Sequence, residues 1–165
     1  MKRIILHWTA GTGKPNAHEK ECYHYLIDKD GIVHEGRFKP EDNLNCYDGR
    51  YAMHTGGGNT GSIGVAVCGC AVPEGVNVKF TKYPITGVQI ERLFSFTAEL
   101  CKRYGIVPTA NNVMTHYEFG KKNPKTTSKG KIDLTELFVY KPKKGEEGDF
   151  IRGKIRWYLS KINNS

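Results

Sequence analysis

The chain has 165 residues, a length that suits one domain with its own hydrophobic core. Hydrophobic residues make up 38% of it and charged residues 25%, which excludes a wholly disordered or fibrous protein. No apolar run approaches the roughly 20 residues of a membrane-spanning helix, so the sequence predicts no transmembrane segment. The net charge of +8 favours a polyanionic partner: nucleic acid, anionic lipid or an anionic cell-wall polymer.

The cysteines and the N-terminus indicate where the chain is made. Its five cysteines are odd in number and form no CxxC pair, which indicates a reducing compartment rather than a disulfide framework. Two basic residues near the N-terminus are followed by only three apolar ones, whereas a secretory signal needs an apolar stretch of about 7–15. We therefore expect the protein to be cytoplasmic when it is synthesised.

Short apolar runs predict the strands in the first half of the chain. These strands cover residues 4–6, 23–28, 32–35 and 62–70. The first ends at His7, and the second and third form a hairpin around the turn Asp28–Gly31. The last is apolar and rich in β-formers, which is typical of a central strand. Residues 9–21 and 39–61 are polar and are predicted as loops.

A capping signal and a further strand organise the second half. Thr86 and Gln89 fit the capping-box pattern, which predicts a helix that continues to Tyr104. Its predicted apolar stripe consists of Val88, Leu93, Phe94, Leu100, Cys101 and Tyr104. Residues 113–115 indicate another strand, which leads directly into His116, and residues 120–131 are predicted as a lysine-rich loop. The order of strand, hairpin, strand, helix and strand predicts an α/β single domain with a central mixed β-sheet flanked by helices.

The C-terminal part of the chain differs in composition from the rest. We divide the chain into a domain over residues 1–140, a charged linker over 141–149 and a basic amphipathic helix over 150–165, with Asp149 as its cap. Its apolar residues at helical spacing are Ile151, Ile155, Tyr158, Leu159 and Ile162, and its positive charge comes from Arg152, Lys154, Arg156 and Lys161. This stripe is expected to pack on the domain; the alternative is an anchor for an anionic surface, either wall polymer or membrane.

Two of the six histidines stand at predicted strand ends. His7 and His116 can converge on one cleft, because strand ends in a mixed sheet meet at the same edge. Catalytic zinc needs about three protein ligands and one open position. On spacing alone, two distant histidines are weak evidence for a metal site, and a structural role is the favoured interpretation for each.

Six segments, read in order, carry a family resemblance. They are IILHWTAG, YHYLIDKDGIVHEGR, AMHTGGGNTGSIGVAVCG, QIERLFSFTAELCKRYGI, MTHYEF and KGKID. Together they resemble the type 2 N-acetylmuramoyl-L-alanine amidases, which share a fold with peptidoglycan recognition proteins and amidase-type phage lysozymes. The resemblance covers about residues 3–137. It implies a zinc hydrolase that cleaves the amide between N-acetylmuramic acid and L-alanine of the stem peptide, in a cleft at the strand ends.

The resemblance also implies a set of metal ligands. His7, His116 and Asp133 match the family's ligand motifs one by one and would hold one zinc ion per chain. On the residues alone, Asp133 is better interpreted as a helix N-cap before residues 134–137. Two imidazoles and one carboxylate nevertheless suit zinc in a hydrolytic site.

Five further residues match family motifs. Tyr23 matches a tyrosine beside the zinc-bound water, and Lys131 matches a lysine two residues before the third ligand; these two are the candidate catalytic residues. His54, Asn59 and Arg37 are the candidate substrate-binding residues. His54 is interpreted as lining the cleft, with a role in structuring its loop as the alternative.

The sequence departs from the family pattern in two places. Only 15 residues separate His7 from Tyr23, where many relatives have a helix and a longer connection, so one wall of the substrate groove is expected to be open or rebuilt. Ala66 stands where some cytoplasmic amidases carry a glutamate. Catalysis would then depend on Tyr23 and Lys131, as in the lysozyme-like branch.

Three classes of function compete. The favoured one is a monomeric phage or prophage endolysin that acts on peptidoglycan after release, with a toxin or a recycling enzyme as variants of the same chemistry. The main alternative is a recognition module that binds muropeptides without cleaving them; such relatives typically lose a zinc ligand, whereas all three candidates are present here. A nucleic-acid binder is suggested by the charge alone, without any base-stacking or helix-turn-helix pattern.

Overall fold

The structure, a computed structural model, describes residues 1–164. Its strands are β1 (Arg3–Trp8), β2 (Tyr25–Ile27), β3 (Val33–Glu35), β4 (Ser62–Val67) and β5 (Val113–Thr115). Its α-helices are α1 (Ala17–Cys22), α2 (Gly87–Tyr104), α3 (His116–Lys122) and α4 (Glu147–Asn163). Two short 3-10 helices cover Pro40–Leu44 and Val78–Phe80.

The five strands form one mixed sheet in the order β3-β2-β4-β1-β5. Strand β4 lies at the centre and runs parallel to β1 and β2, β5 runs parallel to β1, and only β3 is antiparallel to its neighbour. Leu6 of β1 stands opposite Thr115 of β5. The next residue on each side is a histidine, so His7 and His116 leave the sheet at the same edge. The predicted α/β architecture is confirmed.

Helices α2 and α4 build the larger part of the core on one side of the sheet. The predicted capping box forms, since Thr86 accepts from the backbone N–H of Gln89 and the Gln89 side chain accepts from that of Thr86. Val88 was predicted on the apolar stripe of α2, but it is 58% exposed. Helix α4 packs against α2 and contributes the fully buried Ile151 and Ile155. Within residues 1–164, no helix combines the length and apolarity needed to cross a membrane.

Two short helices were not predicted. Helix α1 covers Ala17–Cys22, mostly inside the loop predicted over residues 9–21, and Asn16 and Glu19 cap it reciprocally. Helix α3 covers His116–Lys122 and extends into the predicted lysine-rich loop, and Thr115 and Glu118 form the same motif at its start. Both signals are present in the sequence, but each helix is too short to show an apolar period.

Helix α4 is tied to the sheet and to α3 by a buried arginine. The helix begins at Glu147, inside the segment predicted as a linker, and Asp149 lies in its first turn rather than at its cap. Arg152 was expected to supply surface charge, but it is 4% exposed. Its guanidinium donates to both carboxylate oxygens of Glu118, at 2.9 Å each, and to the carbonyl of Val113. The helix is therefore joined to the rest by a bidentate ion pair as well as by apolar packing.

We expect Ile155→Ala to lower the free energy of unfolding by about 2–5 kcal/mol, because it leaves a cavity between α4 and α2. Trp157 on the same helix is 54% exposed. Trp157→Ala is the control, with an expected loss below about 1 kcal/mol. Urea denaturation measures both. Equally small losses in the two variants would show that α4 does not pack on the domain in solution.

A buried histidine connects β2 to the loop before β4. The backbone N–H of Gly64 donates to Nδ1 of His24 over 2.9 Å, so Nε2 carries the hydrogen and donates to Oδ1 of Asn43, also over 2.9 Å. Burial lowers the pKa of His24 to about 4, although the hydrogen bond to Asn43 opposes this shift. The folded protein therefore holds this ring neutral at pH values where the unfolded chain protonates it.

Acid should destabilise the metal-free protein through this ring. The folded pKa lies below the unfolded value, so the stability is complete above about pH 6.5 and is lost as the pH falls towards 4, by about 2–3 kcal/mol from His24. His24→Gln should flatten this part of the pH profile, measured by urea denaturation with chelator present. His18→Gln, at an exposed histidine, should retain the wild-type slope. A His24→Gln profile as steep as the wild type would contradict the assignment.

Candidate metal centre

Three side chains from separate parts of the chain converge at the edge of the sheet. The Nδ1 atoms of His7 and His116 lie 3.1 Å apart, and Oδ2 of Asp133 lies 3.3 Å from the first and 3.6 Å from the second. All three residues are buried, and their candidate ligand atoms lie within 4.8 Å of one another. The structure thus brings together the three residues that the sequence proposed as zinc ligands.

Asp133 is placed by a turn rather than by a helix. Residues 134–137 are not helical, so Asp133 does not cap a helix there. A hydrogen bond from the backbone N–H of Thr135 to the carbonyl of Ile132 closes the turn. The next residue, Leu134, has φ of 65°, which disfavours a side chain, but that side chain is buried in the core. Its burial offsets the strained backbone that presents Asp133.

The charges of the cluster are those that a metal site requires. Burial lowers the pKa of His7 to about 4, although the neighbouring Asp133 carboxylate opposes this shift. Burial alone would raise the pKa of Asp133, but the neighbouring His116 and His7 rings lower it well below its usual range. At neutral pH, His7 is therefore a neutral imidazole and Asp133 is a carboxylate, the forms that bind metal ions. Two imidazole nitrogens and one carboxylate oxygen form the donor set of a catalytic zinc site.

A cleft of about 420 Å³ opens beside the cluster. His116 and Asp133 lie on its wall, and apolar side chains form much of the remainder: Trp8, Met53, Val72, Val76, Val78 and Ile132. A second depression, of about 450 Å³, shares His54, His116 and Lys131 with the first. The two depressions therefore adjoin at His116, next to the cluster.

The two candidate catalytic residues both line this cleft. Tyr23 follows the last residue of α1, and its ring centroid lies 5.1 Å from that of His7. Burial, and secondarily the charge of Asp133, raise the pKa of the Tyr23 phenol, so it is protonated at neutral pH. Lys131 is exposed and stands at the junction of the two depressions.

The three candidate substrate-binding residues have different surroundings. His54 lies at the cleft wall but is only 5% exposed, and its Nδ1 lies 3.1 Å from Nε2 of His7. Asn59 lines the second depression, while its side-chain oxygen accepts from the backbone N–H of Thr55 over 2.8 Å. Both side chains are thus engaged within the protein on at least one polar atom.

The structure does not bring Arg37 to the cleft. Arg37 is exposed, pairs with Glu21 over 3.0 Å and lines a separate depression of about 310 Å³ beside Phe38. The short connection between His7 and Tyr23 contains α1, and Cys22, the last residue of this helix, lines the cleft beside Tyr23.

Sequence reasoning missed Ser128. This residue lies in the segment predicted as a lysine-rich loop, and its hydroxyl oxygen is 2.9 Å from Nε2 of His116. A single serine in a polar loop carries no periodic or motif signal, so only the folded chain identifies this contact.

Known proteins resemble this chain in sequence and in fold. A family model described as N-acetylmuramoyl-L-alanine amidase matches residues 1–131, and Asp133 lies just beyond the match. No curated protein matches the chain at a significant level. The solved structure of N-acetylmuramoyl-L-alanine amidase LysC from Clostridium intestinale URNW is 17% identical, with a TM-score of 0.57 over 94% of this chain and 85% of that one.

A second solved structure has the same likeness. The endolysine N-acetylmuramoyl-L-alanine amidase LysCS from Clostridium intestinale URNW is also 17% identical, with a TM-score of 0.57 over 94% of this chain and 83% of that one. At this identity the two structures show a shared fold, whereas the family model spans most of the sequence. The chain belongs to the type 2 N-acetylmuramoyl-L-alanine amidase family.

Proposed function

We propose that the protein is a zinc-dependent peptidoglycan hydrolase that cleaves the amide between N-acetylmuramic acid and L-alanine of the stem peptide. The observation that carries this proposal is the convergence of His7, His116 and Asp133 in a cleft that Tyr23 and Lys131 also line. A module that only binds peptidoglycan has no need of this donor set. Its presence favours the enzyme over the recognition module.

The donor set determines which chemistry the centre can support. His7, His116 and Asp133 would hold one zinc ion, and their two neutral rings and one carboxylate would leave the loaded centre with one net positive charge. Zinc would supply a Lewis acid that lowers the pKa of water and polarises the amide carbonyl. The burial of all three side chains keeps their electrostatic effect strong, because little solvent screens it.

Tyr23 and Lys131 supply the other polar groups at the reacting bond. The protonated phenol of Tyr23 can donate to the amide oxygen or orient the attacking water. The Lys131 ammonium stabilises the negative charge that develops on the amide oxygen. Asp133 is the only carboxylate among the described residues that line the cleft, and Ala66 offers none. Tyr23 and Lys131 are therefore the groups available to pass a proton to the leaving amine.

The net charge of the chain and the solved structures that share its fold indicate where the protein acts. A net charge of +8 attracts the chain to anionic wall polymer, and the solved structures that share its fold include an endolysin amidase. We infer a monomeric endolysin of phage or prophage origin, made in the cytoplasm and acting on the wall after release. This role does not require Arg37 in the cleft.

The direct test is mass spectrometry of purified cell walls digested with zinc-loaded and with chelated protein. The zinc-loaded protein should release stem peptides that begin with a free L-alanine amine and leave the lactyl carboxylate on the glycan. Chelation should stop the release, and added zinc should restore it. A recognition module would sediment with the walls and release nothing.

Asp133→Ala should abolish both zinc binding and peptide release, because it removes one of three ligands and the only charge that balances the ion. Glu136→Ala is the matched control, since that carboxylate lies three residues away and pairs with Lys141 outside the cleft. Elemental analysis and the wall digest measure the two effects. Active protein without zinc would refute the proposed centre.

Tyr23→Phe and Lys131→Met should each lower turnover by about 10²–10³ while zinc stays bound, because each removes one group that acts in the transition state. Lys129→Met is the control: Lys129 is also exposed, but it does not line the cleft. Single-turnover digestion of a defined muropeptide separates these effects from binding. Near-normal turnover in either variant would exclude the role assigned to that residue.

A further inference from the structure

Each candidate ligand histidine uses one ring nitrogen towards Asp133 and the other towards a buried polar side chain. His7 has Nδ1 at 3.3 Å from Asp133 and Nε2 at 3.1 Å from Nδ1 of His54. His116 has Nδ1 at 3.6 Å from Asp133 and Nε2 at 2.9 Å from the hydroxyl of Ser128. In both rings, Nε2, the nitrogen that points away from Asp133, contacts a polar side chain of the protein.

The hydrogen bonds around His54 determine the direction of its contact with His7. His54 is buried, and no ion pair with a carboxylate is found for it within residues 1–164, so its ring is neutral. Its Nε2 faces the carbonyl of Ser62 at 3.3 Å, and a carbonyl can only accept. Nε2 then carries the hydrogen, and Nδ1 accepts from the Thr55 hydroxyl at 2.7 Å. Nε2 of His7 therefore faces two acceptors, Nδ1 of His54 at 3.1 Å and the Thr55 oxygen at 3.4 Å, so it carries a hydrogen. The lone pair of His7 is left on Nδ1.

Ser128 imposes the same direction on the second histidine. Its hydroxyl donates to the carbonyl of Gly56 over 2.7 Å, which uses its single hydrogen. Towards His116 the hydroxyl oxygen is therefore an acceptor, and Nε2 of His116 donates to it. The lone pair of His116 is left on Nδ1, facing Asp133.

Glycines make room for the His54 side chain and for the backbone of Ser128. A Cβ atom on Gly64, in the middle of the central strand, would lie 2.4 Å from Cγ of His54. A Cβ atom on Gly120 would lie 2.1 Å from the carbonyl oxygen of Ser128. Glycine weakens a strand interior, and in such places it often marks a close approach of other atoms. Here the close approach is that of the supporting His54 and the Ser128 segment.

We propose that His54 and Ser128 are positioning residues that hold His7 and His116 with Nδ1 facing Asp133, ready to bind the metal. This inference rests on the proposed zinc site and assigns its supporting shell. It also gives His54 a role other than substrate contact, since both of its nitrogens are engaged inside the protein. Groups of this kind orient the ligand rings, and their loss typically weakens metal binding about 10–100-fold.

The test compares zinc dissociation constants by competition with a chromogenic chelator. His54→Leu and Ser128→Ala should weaken zinc binding about 10–100-fold and alter the visible spectrum of the cobalt-substituted protein. His54→Asn, nearly isosteric with the leucine variant, should restore binding, because Oδ1 of asparagine can accept from His7. A spectrum and affinity equal to the wild type in both His54→Leu and Ser128→Ala would overturn the proposal.

Ser62→Ala is the matched control for Ser128→Ala. Ser62 is equally buried and donates to the carbonyl of Gly58 in the same glycine loop, but its hydroxyl does not contact a ligand histidine. It should retain wild-type zinc affinity even if its stability falls. A loss as large as that of Ser128→Ala would show that general loosening of the loop, rather than the contact with His116, is responsible.

Long-range ¹H–¹⁵N NMR of the zinc-loaded wild type tests the proposal without any variant. His7 and His116 should both carry the ring hydrogen on Nε2 and bind zinc through Nδ1; zinc bound through Nε2 of either ring would overturn the assignment. Zinc affinity also separates the two proposals. Zinc binding that depends on His54 and Ser128, in a protein that releases no stem peptides, would refute the proposed function and leave the positioning roles standing.

Discussion

The parallel pairing of β1 with β5 is the constraint on which the rest of the molecule depends. Because Leu6 faces Thr115 across this pair, the residues that follow, His7 and His116, emerge side by side from one edge of the sheet. The two histidines are 109 positions apart in the sequence, so only the pairing of their strands brings them together. Parallel strands need a crossover and cover on both faces, so α2 and α4 serve the site indirectly by burying the sheet that aligns the two histidines.

The site is also a problem of buried polarity. Three histidines and an aspartate lie in an environment that penalises unpaired polar atoms. The fold gives Nε2 of His7, Nε2 of His116 and both nitrogens of His54 a hydrogen-bond partner inside the protein. His24 lies next to this group, with its ring centroid 5.5 Å from that of His54, and uses Gly64 and Asn43 in the same way. Gly64 therefore has two roles: its backbone N–H binds the buried His24, and its lack of a side chain leaves space for His54.

Much of the fold followed from sequence because its signals are local or periodic. The apolar run of β4 and the Thr86–Gln89 cap each specify an element within a few residues, and motif order identified Asp133 where local pattern favoured a cap. Helix α1 escaped prediction because six residues show no apolar period. The contacts of Arg152 with Glu118 and of Ser128 with His116 were not predicted. Each joins residues that are distant in the chain, and no local sequence pattern indicates such a contact.

The ion pair between Arg152 and Glu118 has a consequence for engineering. A junction placed at the charged segment after Tyr140, to fuse another domain there, would discard Arg152. Glu118, which completes the capping box of the helix that starts at His116, would lose its ion-pair partner. A fused domain should therefore be joined beyond Asn163, so that the whole of α4 stays with the sheet and α3 as one folding unit.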